Sequence, residues 1–319
     1  MTMLVLRQLA GRVLVAVPLL LAVTFGTFLL LFAVGDPASA MAGDSATAEE
    51  IEQIRVDNGF DRPAVVQYAD WLGQVLRGDL GESIQNRGTV SHLVGQHLPP
   101  TLQLSAMAMG IAIVVTLVAG VAIGLRPGGW LDRITQGISL LGLAVPNFLV
   151  GLALILVFTI WIPLFPSGGY REASEVGLVA SLEYLVLPAL ALALSLMCLQ
   201  TRTFRASLLT EYRQDYVRTA RMKGVPERRV FLRHVARNAA APLVTVIGLE
   251  VGVLITGALL VEVVFAVPGI GSLTIDSVRG QDFPVVQTLV ALFGAIILFA
   301  NLLADLVALW LNPVSRSKA

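Results

Sequence analysis

The chain contains 319 residues, of which 56% are hydrophobic and 14% are charged, and its formal net charge is zero. In a soluble domain roughly a quarter of the residues are charged, so this composition excludes an ordinary soluble protein. The zero net charge gives no indication of nucleic-acid binding. The single cysteine, Cys198, excludes a disulfide within the chain and a cysteine metal cluster.

Six apolar segments are long enough to cross a bilayer, which requires about 20 apolar residues. Five contain a long run without any charge, and the remaining one is interrupted only by Glu250. Pro18, Pro146 and Pro188 lie inside these segments and could interrupt their helices. We predict an all-α membrane protein with six transmembrane helices, near residues 13–34, 99–125, 135–161, 184–205, 240–266 and 285–311.

The first apolar segment has some features of a secretory signal, because Arg7 and Arg12 precede it and small residues follow it up to Ala40. Its 22 residues exceed the roughly 7 to 15 apolar residues of a signal peptide. We therefore predict a retained signal anchor that forms the first span. Cleavage after Ala40 is the alternative.

The distribution of positive charge predicts the orientation of the spans. If the N-terminus is cytoplasmic, the cytoplasmic segments carry 16 of the 22 Lys and Arg residues and the external segments carry 6. This distribution follows the positive-inside rule, and the reverse orientation violates it. We predict that both termini are cytoplasmic and that the long connection after the first span is external.

These spans divide the chain into four parts. In the external part, an acidic first turn at Glu49 and Glu50 predicts a helix over 47–56, and the spacing of Val65, Tyr68 and Leu72 predicts a second one. The predicted parts are the N-terminus with the first span (1–34), an extracytoplasmic cap (35–98), a transmembrane core (99–311) with a cytoplasmic loop (206–238), and a cytoplasmic tail (312–319).

The cytoplasmic loop has the pattern of a short helix pair. Tyr212, Tyr216 and Ala220 share one stripe of a helix, Gly224 permits the turn that ends it, and Pro226 suits the start of the next helix. Such an apolar knob ringed by charge can seat in a groove of a soluble partner. A basic helix lying on anionic lipid is the alternative, and composition does not decide between them.

The residues of this loop resemble those of a known family. The run from Asp215 to Gly224, followed by Arg233, His234, Asn238 and Pro242, is similar to the cytoplasmic loop of bacterial ABC importer permeases, in the version of the oligopeptide/dipeptide/nickel permease family of the B type. The resemblance continues at 35–37, 78–83, 98–102, 261–271 and 282–287. Met222 departs from it, since the family usually has a small residue there, and so does the ending at 312–314.

The resemblance implies a type I ABC importer permease of the bacterial plasma membrane, a non-catalytic subunit that forms half of the path for peptides by alternating access. Nickel chelate, opine or glutathione-like cargo is the alternative within the family. The chain has no GxxxxGK[ST] phosphate-binding run. The family therefore implies two separate ATPase subunits that bind ATP and Mg²⁺, a homologous second permease and an extracytoplasmic substrate-binding protein, and no cofactor in this chain. A self-sufficient secondary carrier is the rival class, and it would need its own coupling-ion site.

The resemblance also places the ATPase-coupling helix in the cytoplasmic loop. Tyr216 and Val217 are expected to be the apolar anchors in the ATPase groove, and Glu49, Glu52, Asp61 and Asp70 are expected to form the rim on which the substrate-binding protein docks. The predicted coupling residues are Tyr212, Asp215, Tyr216, Val217, Thr219, Ala220, Arg221, Lys223 and Gly224.

Three acids, Glu250, Glu262 and Asp305, lie within the spans. An ionisable group is costly in the membrane, so these side chains are expected to face protein or water. For Glu250 we weigh two roles, a wall of the translocation path that favours cationic cargo and an acid paired or protonated in a packed helix seam. Asn301 and Asp305 are four residues apart and suit a polar clamp between helices. A structural or gating role is predicted for Glu262, Pro268, Gly269, Gly271, Asp282, Asn301 and Asp305. His92 and His97 do not have a common ligand spacing, so no metal site is predicted.

Overall fold

A computed structural model describes residues 2–43, 45–125 and 128–311 of the chain. The described residues are almost entirely helical, and their only extended pairing is an isolated bridge between Glu82 and Thr89. In chain order the helices are α1 (Thr2–Val34), α2 (Pro37–Ala42), α3 (Ala48–Asp57), α4 (Ala64–Leu76), α5 (Val90–Leu125), α6 (Trp130–Ala144), α7 (Asn147–Ile155), α8 (Ala173–Val176), α9 (Leu178–Tyr212), α10 (Asp215–Met222), α11 (Glu227–Val230), α12 (Ala236–Val264), α13 (Ile270–Arg279) and α14 (Phe283–Leu311).

Five of the predicted spans are helices long and apolar enough to cross a membrane. The helices α5 and α9 exceed their predicted bounds, since α5 begins at Val90 and α9 ends at Tyr212. The predicted tail 312–319 lies outside the described residues. The five spanning segments are Gly11–Ala33, Val90–Gly124, Leu178–Tyr212, Glu227–Val264 and Phe283–Ala304.

The span predicted near 135–161 is a bent pair of helices, broken at Pro146, one of the prolines that could interrupt a span. The helices α6 and α7 are bent by 105° at the break between them. Pro146 has no N–H to donate, and a residue before proline avoids the helical conformation. Val145 accordingly has φ −98° and ψ 125°, so this span is a bent pair, whereas α1 and α9 continue through Pro18 and Pro188.

Two segments are π-helical. Residues Leu156–Trp161 continue α7, and residues Phe231–Val235 connect α11 to α12. A π-helix closes its hydrogen bonds one residue later than an α-helix, and such segments are frequent at functional sites. Phe231 and Val235 are buried, so the second π-helical segment packs against the rest of its unit.

Contacts divide the chain into two compact units, one of residues 1–100 and 268–298 and one of residues 101–267 and 299–319. In the first unit, the apolar core includes Val90, Ile270 and Leu289. The hydroxyls of Tyr68 and Thr24 lie 2.7 Å apart, which attaches α4 to α1. Phe25 and Phe28 contact the Tyr68 ring edge to face.

The helices predicted in the external part are confirmed, and the start of α3 is capped. Thr47 accepts a hydrogen bond from the Glu50 N–H, and the Glu50 carboxylate accepts from the Thr47 N–H at 2.7 Å. Hydrogen bonds from the backbone and side chain of Thr47 lower the pKa of Glu50. Asp36 caps α2 and forms an ion pair with Arg55 at 3.0 Å. These contacts order a segment that has few apolar residues.

The second unit is built around α5, α7, α9 and α12. Its core includes Leu104, Leu185, Leu192 and Leu254. A Cβ atom at Gly248 would lie 2.0 Å from the Cβ of Ala304, so the glycine permits the close approach of α12 and α14. Gly248 and Gly252 on α12 have the GxxxG spacing of close helix contacts, and the close neighbour of Gly248 belongs to the same chain.

Gly248→Ala is therefore expected to lower the stability of the folded chain by about 1–3 kcal/mol through overpacking. Gly110→Ala, where nothing lies within 4 Å of the added Cβ, is the matched control and is expected to be neutral or slightly stabilising. The measurement is the apparent melting temperature of both variants in detergent. Equal melting temperatures would contradict the close contact of Gly248.

Candidate functional site

The segment from residue 212 to residue 227, named here the α10 corner, is the candidate site for contact with an ATPase subunit. The helix α9 ends at Tyr212, α10 covers Asp215–Met222, and α11 begins at Glu227. Gly224 has φ +74°, a left-handed conformation that favours glycine. The predicted sequence of helix, sharp corner and helix is confirmed. The single stripe through Tyr212 and Ala220 is wrong, because the chain leaves the helix at Arg213 and Gln214.

The apolar side of α10 faces its own unit. Val217 is fully buried and packs in a cluster with Phe204, Leu208 and Phe231. This placement contradicts the expectation that Val217 is an anchor for a partner, because helical periodicity identifies an apolar face but does not reveal which neighbour covers it. Tyr216 is 37% exposed and is the anchor that stays accessible.

Tyr212 fixes the corner to the end of α5. Its hydroxyl donates a hydrogen bond to the carbonyl oxygen of Gly124 at 2.5 Å, and its ring stacks on Phe231 with 6.4 Å between centroids. A Cβ at Gly124 would lie 2.1 Å from the Phe231 ring, so only glycine permits this packing. The Arg221 guanidinium lies 5.5 Å from the centre of the Tyr212 ring and adds a cation–π contact.

Polar contacts of Arg221 and Tyr216 join the corner to the neighbouring helices. Arg221 forms an ion pair with Glu227 at 2.5 Å, and the hydrogen bond to Glu227 raises the pKa of the Arg221 guanidinium. Tyr216 donates to the Glu211 carboxylate and accepts from Asn238 at 3.0 Å. Burial, together with the Glu211 hydrogen bond, raises the pKa of the Tyr216 phenol. The corner is thus tied to α9, α11 and α12 within its unit.

The outer face of α10 is polar apart from one residue. Asp215 lies in the first turn, where a negative charge is favourable, and its carbonyl accepts from the Thr219 hydroxyl at 2.9 Å. Lys223 is exposed at the opposite end, and Ala220 is half-buried against the apolar cluster. Met222, which departs from the family pattern, is 73% exposed. It is the most exposed large apolar side chain of α10.

Glu250 is turned into the helices of its own unit. It is 2% exposed, and the side-chain amide of Gln200 donates to its Oε2 at 2.6 Å. Gln200 in turn accepts from Thr116 at 3.3 Å, and the Thr116 hydroxyl lies 3.2 Å from that of Thr201. This polar cluster joins α5, α9 and α12. The Oε1 atom of Glu250 is buried without a hydrogen-bond partner among the described residues.

Glu262 is fully buried near the end of α12 and accepts a hydrogen bond from Thr101 at 2.6 Å. The backbone around it turns back, since Val267 N–H donates to the Glu262 carbonyl at 2.8 Å. Asn301 is half-buried on α14. The side chain of Asp305 lies outside the described part of the chain, so the predicted clamp between the two stays a prediction.

Asp282 organises the loop before α5 in the first unit. It is 1% exposed, and its carboxylate accepts from the Ser83 hydroxyl at 2.5 Å and from the Ile84 N–H at 3.2 Å. The predicted gating residues Pro268, Gly269 and Gly271 lie at the start of α13. Gly269 precedes the first turn of α13 and donates to the Ser272 hydroxyl at 3.0 Å, Gly271 is buried, and Pro268 is exposed.

Two polar arrangements were not predicted from the sequence. One is the Gln200–Glu250 contact, and the other is the bidentate ion pair of Asp132 and Arg205, at 2.5 and 3.1 Å. The ion pair could have been predicted only from the opposite charges of Asp132 and Arg205 at the ends of consecutive spans. Among the residues that the structure describes, no group of three or more His, Cys, Asp or Glu could hold a metal ion.

Comparison with known proteins identifies the family. Residues 112–317 match the family "Binding-protein-dependent transport system inner membrane component", and residues 5–105 match "Binding-prot-dependent transport system membrane comp, N-term". The chain belongs to this family. It is therefore a multi-pass subunit of an inner-membrane transport system, and we call it the permease below.

Similar proteins cover nearly the whole permease. A putative peptide permease protein of Brucella suis biovar 1 (strain 1330) is 39% identical over 97% of this chain and 98% of its own. The oligopeptide transport system permease protein AppB of Bacillus subtilis (strain 168) is 36% identical over 95% and 96%. A crystal structure of an amino acid ABC transporter with histidines is 16% identical, with a TM-score of 0.51 over 68% of this chain and 94% of that one. This last likeness shows that the permease has the fold of an ABC transporter membrane subunit.

Asp282→Ala is expected to lower the stability of the permease by about 3 kcal/mol, because the Ser83 hydroxyl and two backbone N–H groups lose a charged acceptor. Hydrogen–deuterium exchange should rise at residues 83–86. Asp79→Ala is the control, since Asp79 accepts one exposed hydrogen bond, from Gly81. The same rise in both variants would show that Asp282 has no special part in ordering this loop.

Proposed function

We propose that the permease forms half of the transmembrane path for peptides in an ABC importer, together with a homologous second permease. Two ATPase subunits that bind ATP and Mg²⁺ drive it, and an extracytoplasmic substrate-binding protein delivers the cargo. The peptide permeases of Brucella suis and Bacillus subtilis support the peptide class of cargo. The observation that carries the coupling role is the α10 corner, a short helix with an exposed polar face and a buried apolar one.

The construction of the α10 corner suits the transmission of force. A change of population from 1:99 to 99:1 requires about 5.5 kcal/mol of differential binding. A loosely attached helix would move without displacing the spans. Tyr212 and Val217 connect the corner to α5, α9 and α12 by packing and by one hydrogen bond, so a displacement of α10 displaces those helices with it.

The orientation follows from the distribution of charge. With the α10 corner on the cytoplasmic side, both termini are cytoplasmic and the α2–α4 segment is external. This segment then offers a docking surface for the substrate-binding protein. In the structure Glu52 pairs with Arg55 and Asp70 with Arg62, so Glu49 and Asp61 are the rim acids without an ion pair among the described residues.

For Glu250 the geometry supports the packed helix seam rather than the wall of the path. Its carboxyl lies among Gln200, Thr116 and Thr201 at 2% exposure, and an apolar seam tolerates such a group only when it is hydrogen-bonded. We infer that Glu250 joins α9 to α12 and keeps these helices in register while the transporter changes state.

Replacement of Met222 tests the coupling role. The permease is purified from its native membrane in mild detergent, and bound subunits are identified by mass spectrometry and by ATP hydrolysis. ATPases and a second permease should be recovered with the wild type. Met222→Asp should keep its melting temperature but lose about tenfold in ATPase recovery, because a charge replaces the exposed apolar contact.

Val278→Asp is the matched control, since Val278 is 54% exposed on α13 and should leave ATPase recovery unchanged. Val217→Asp is expected to unfold the corner instead, by burying a charge without a partner. Full ATPase recovery with Met222→Asp, or recovery of the permease alone from the wild type after crosslinking, would contradict the proposal.

Glu250→Gln tests the seam role, because a glutamine can still accept the hydrogen bond from Gln200. Uptake of neutral and cationic peptides into proteoliposomes should change equally or not at all. Glu250→Leu leaves the Gln200 amide unpaired and should lower stability by about 1–3 kcal/mol. A loss of cationic peptide uptake alone in Glu250→Gln would instead place this side chain in the path.

A further inference from the structure

A cavity of about 290 Å³ lies between α6 and α9, and most of the residues that line it, none of them in the α10 corner, have polar side chains. Its lining is rich in hydroxyls and contains two arginines, which is unusual beside apolar spans. The lining residues include Thr135, Ser139, Thr201, Arg202 and Arg205.

The two arginines have different partners. Arg205 donates from Nε and Nη2 to the buried carboxylate of Asp132, which neutralises one positive charge. A guanidinium has five N–H donors, so Arg205 keeps further donors after this bidentate contact. Arg202 is exposed and forms no ion pair within the described part of the chain. The cavity therefore has one uncompensated positive charge and spare donors, the arrangement that binds phosphate.

The sequence around the cavity is typical of a membrane interface. The charge-free run of α9, 184–201, has a length of about 27 Å at 1.5 Å per residue, close to the thickness of the hydrocarbon core. Arg202 follows this run directly. Trp130 at the start of α6 is 69% exposed, and tryptophan is typical of the membrane interface. In the orientation proposed above, this interface belongs to the cytoplasmic leaflet, where anionic lipids attract basic residues.

We propose that this cavity binds the phosphate group of an anionic phospholipid of the cytoplasmic leaflet, with Arg202 as its cationic contact and Arg205 as a second donor. The Thr135 hydroxyl does not donate to the phosphate, because it already donates to the carbonyls of Leu131 and Asp132. Ser139, 6% exposed, lines the cavity with a hydroxyl. The bound lipid holds the end of α6 against α9, next to the Asp132–Arg205 pair.

The test uses the complete transporter, purified with its native partners and titrated with phosphatidylglycerol or phosphatidylcholine under native mass spectrometry. Phosphatidylglycerol should be retained by the wild type, and Arg202→Gln should weaken its retention about tenfold. Arg202→Lys, which keeps the charge, should restore most of it. Arg133→Gln is the matched control, because Arg133 is an exposed arginine on α6 that does not line the cavity.

Further arms of the experiment distinguish the source of the phosphate. Inorganic phosphate at 100-fold excess over the lipid should not displace phosphatidylglycerol, because the bilayer presents the headgroup at the cavity; displacement would reassign the site to soluble phosphate. Equal retention of both lipids, or equal losses in Arg202→Gln and Arg133→Gln, would overturn the proposal. Melting temperatures confirm that the variants are folded, and ATPase recovery, which depends on the α10 corner, reports separately on the proposed function.

Discussion

The architecture of the permease depends on one constraint, that polar groups inside an apolar bundle find their partners within the protein. The buried charges show how the chain meets it. Asp132 takes a bidentate arginine, Glu262 takes a threonine hydroxyl, and Asp282 takes a hydroxyl with backbone N–H groups. Each contact joins segments far apart in the chain, so every buried acid also determines how two elements meet. Glu250 follows the same rule through Gln200, although one of its oxygens has no hydrogen-bond partner within the described ranges.

The α10 corner shows how this constraint extends to a surface element. Its apolar side is covered by the unit to which it belongs, and its polar side is exposed. A helix of eight residues is too short to be stable alone. Its shape is therefore imposed by Tyr212, Val217 and the pair of Arg221 with Glu227. The surface proposed to meet the ATPase is therefore ordered by its own unit, and docking there would lose little conformational entropy.

Much of this structure is encoded locally and was predictable. Charge-free runs located the spans, Thr47 with Glu50 marked a helix start, and Gly224 with Pro226 marked the corner. What local patterns do not contain is the identity of the neighbour. Val217 belongs to an apolar face whose cover is distant in sequence, and Gln200 is uncharged and stands 50 residues from its acid. Of the prolines that were predicted to interrupt spans, Pro18, Pro146 and Pro188, only Pro146 lies at a helix break, because tertiary packing decides whether the lost hydrogen bond is tolerated.

The π-helical segment Phe231–Val235 has a consequence for how the permease can diversify. It contains one residue more than an α-helix would need to cover the same turn. Residues before it, on α11, and residues after it, on α12, therefore lie about 100° out of the phase that a continuous α-helix would give them. Loss of a single residue here would leave an α-helix that covers the same turn, so α10 and α11 would keep their orientation relative to α12. The α10 corner can thus tolerate a one-residue change of chain length in this segment, as long as apolar side chains still fill the places of Phe231 and Val235 in the buried cluster.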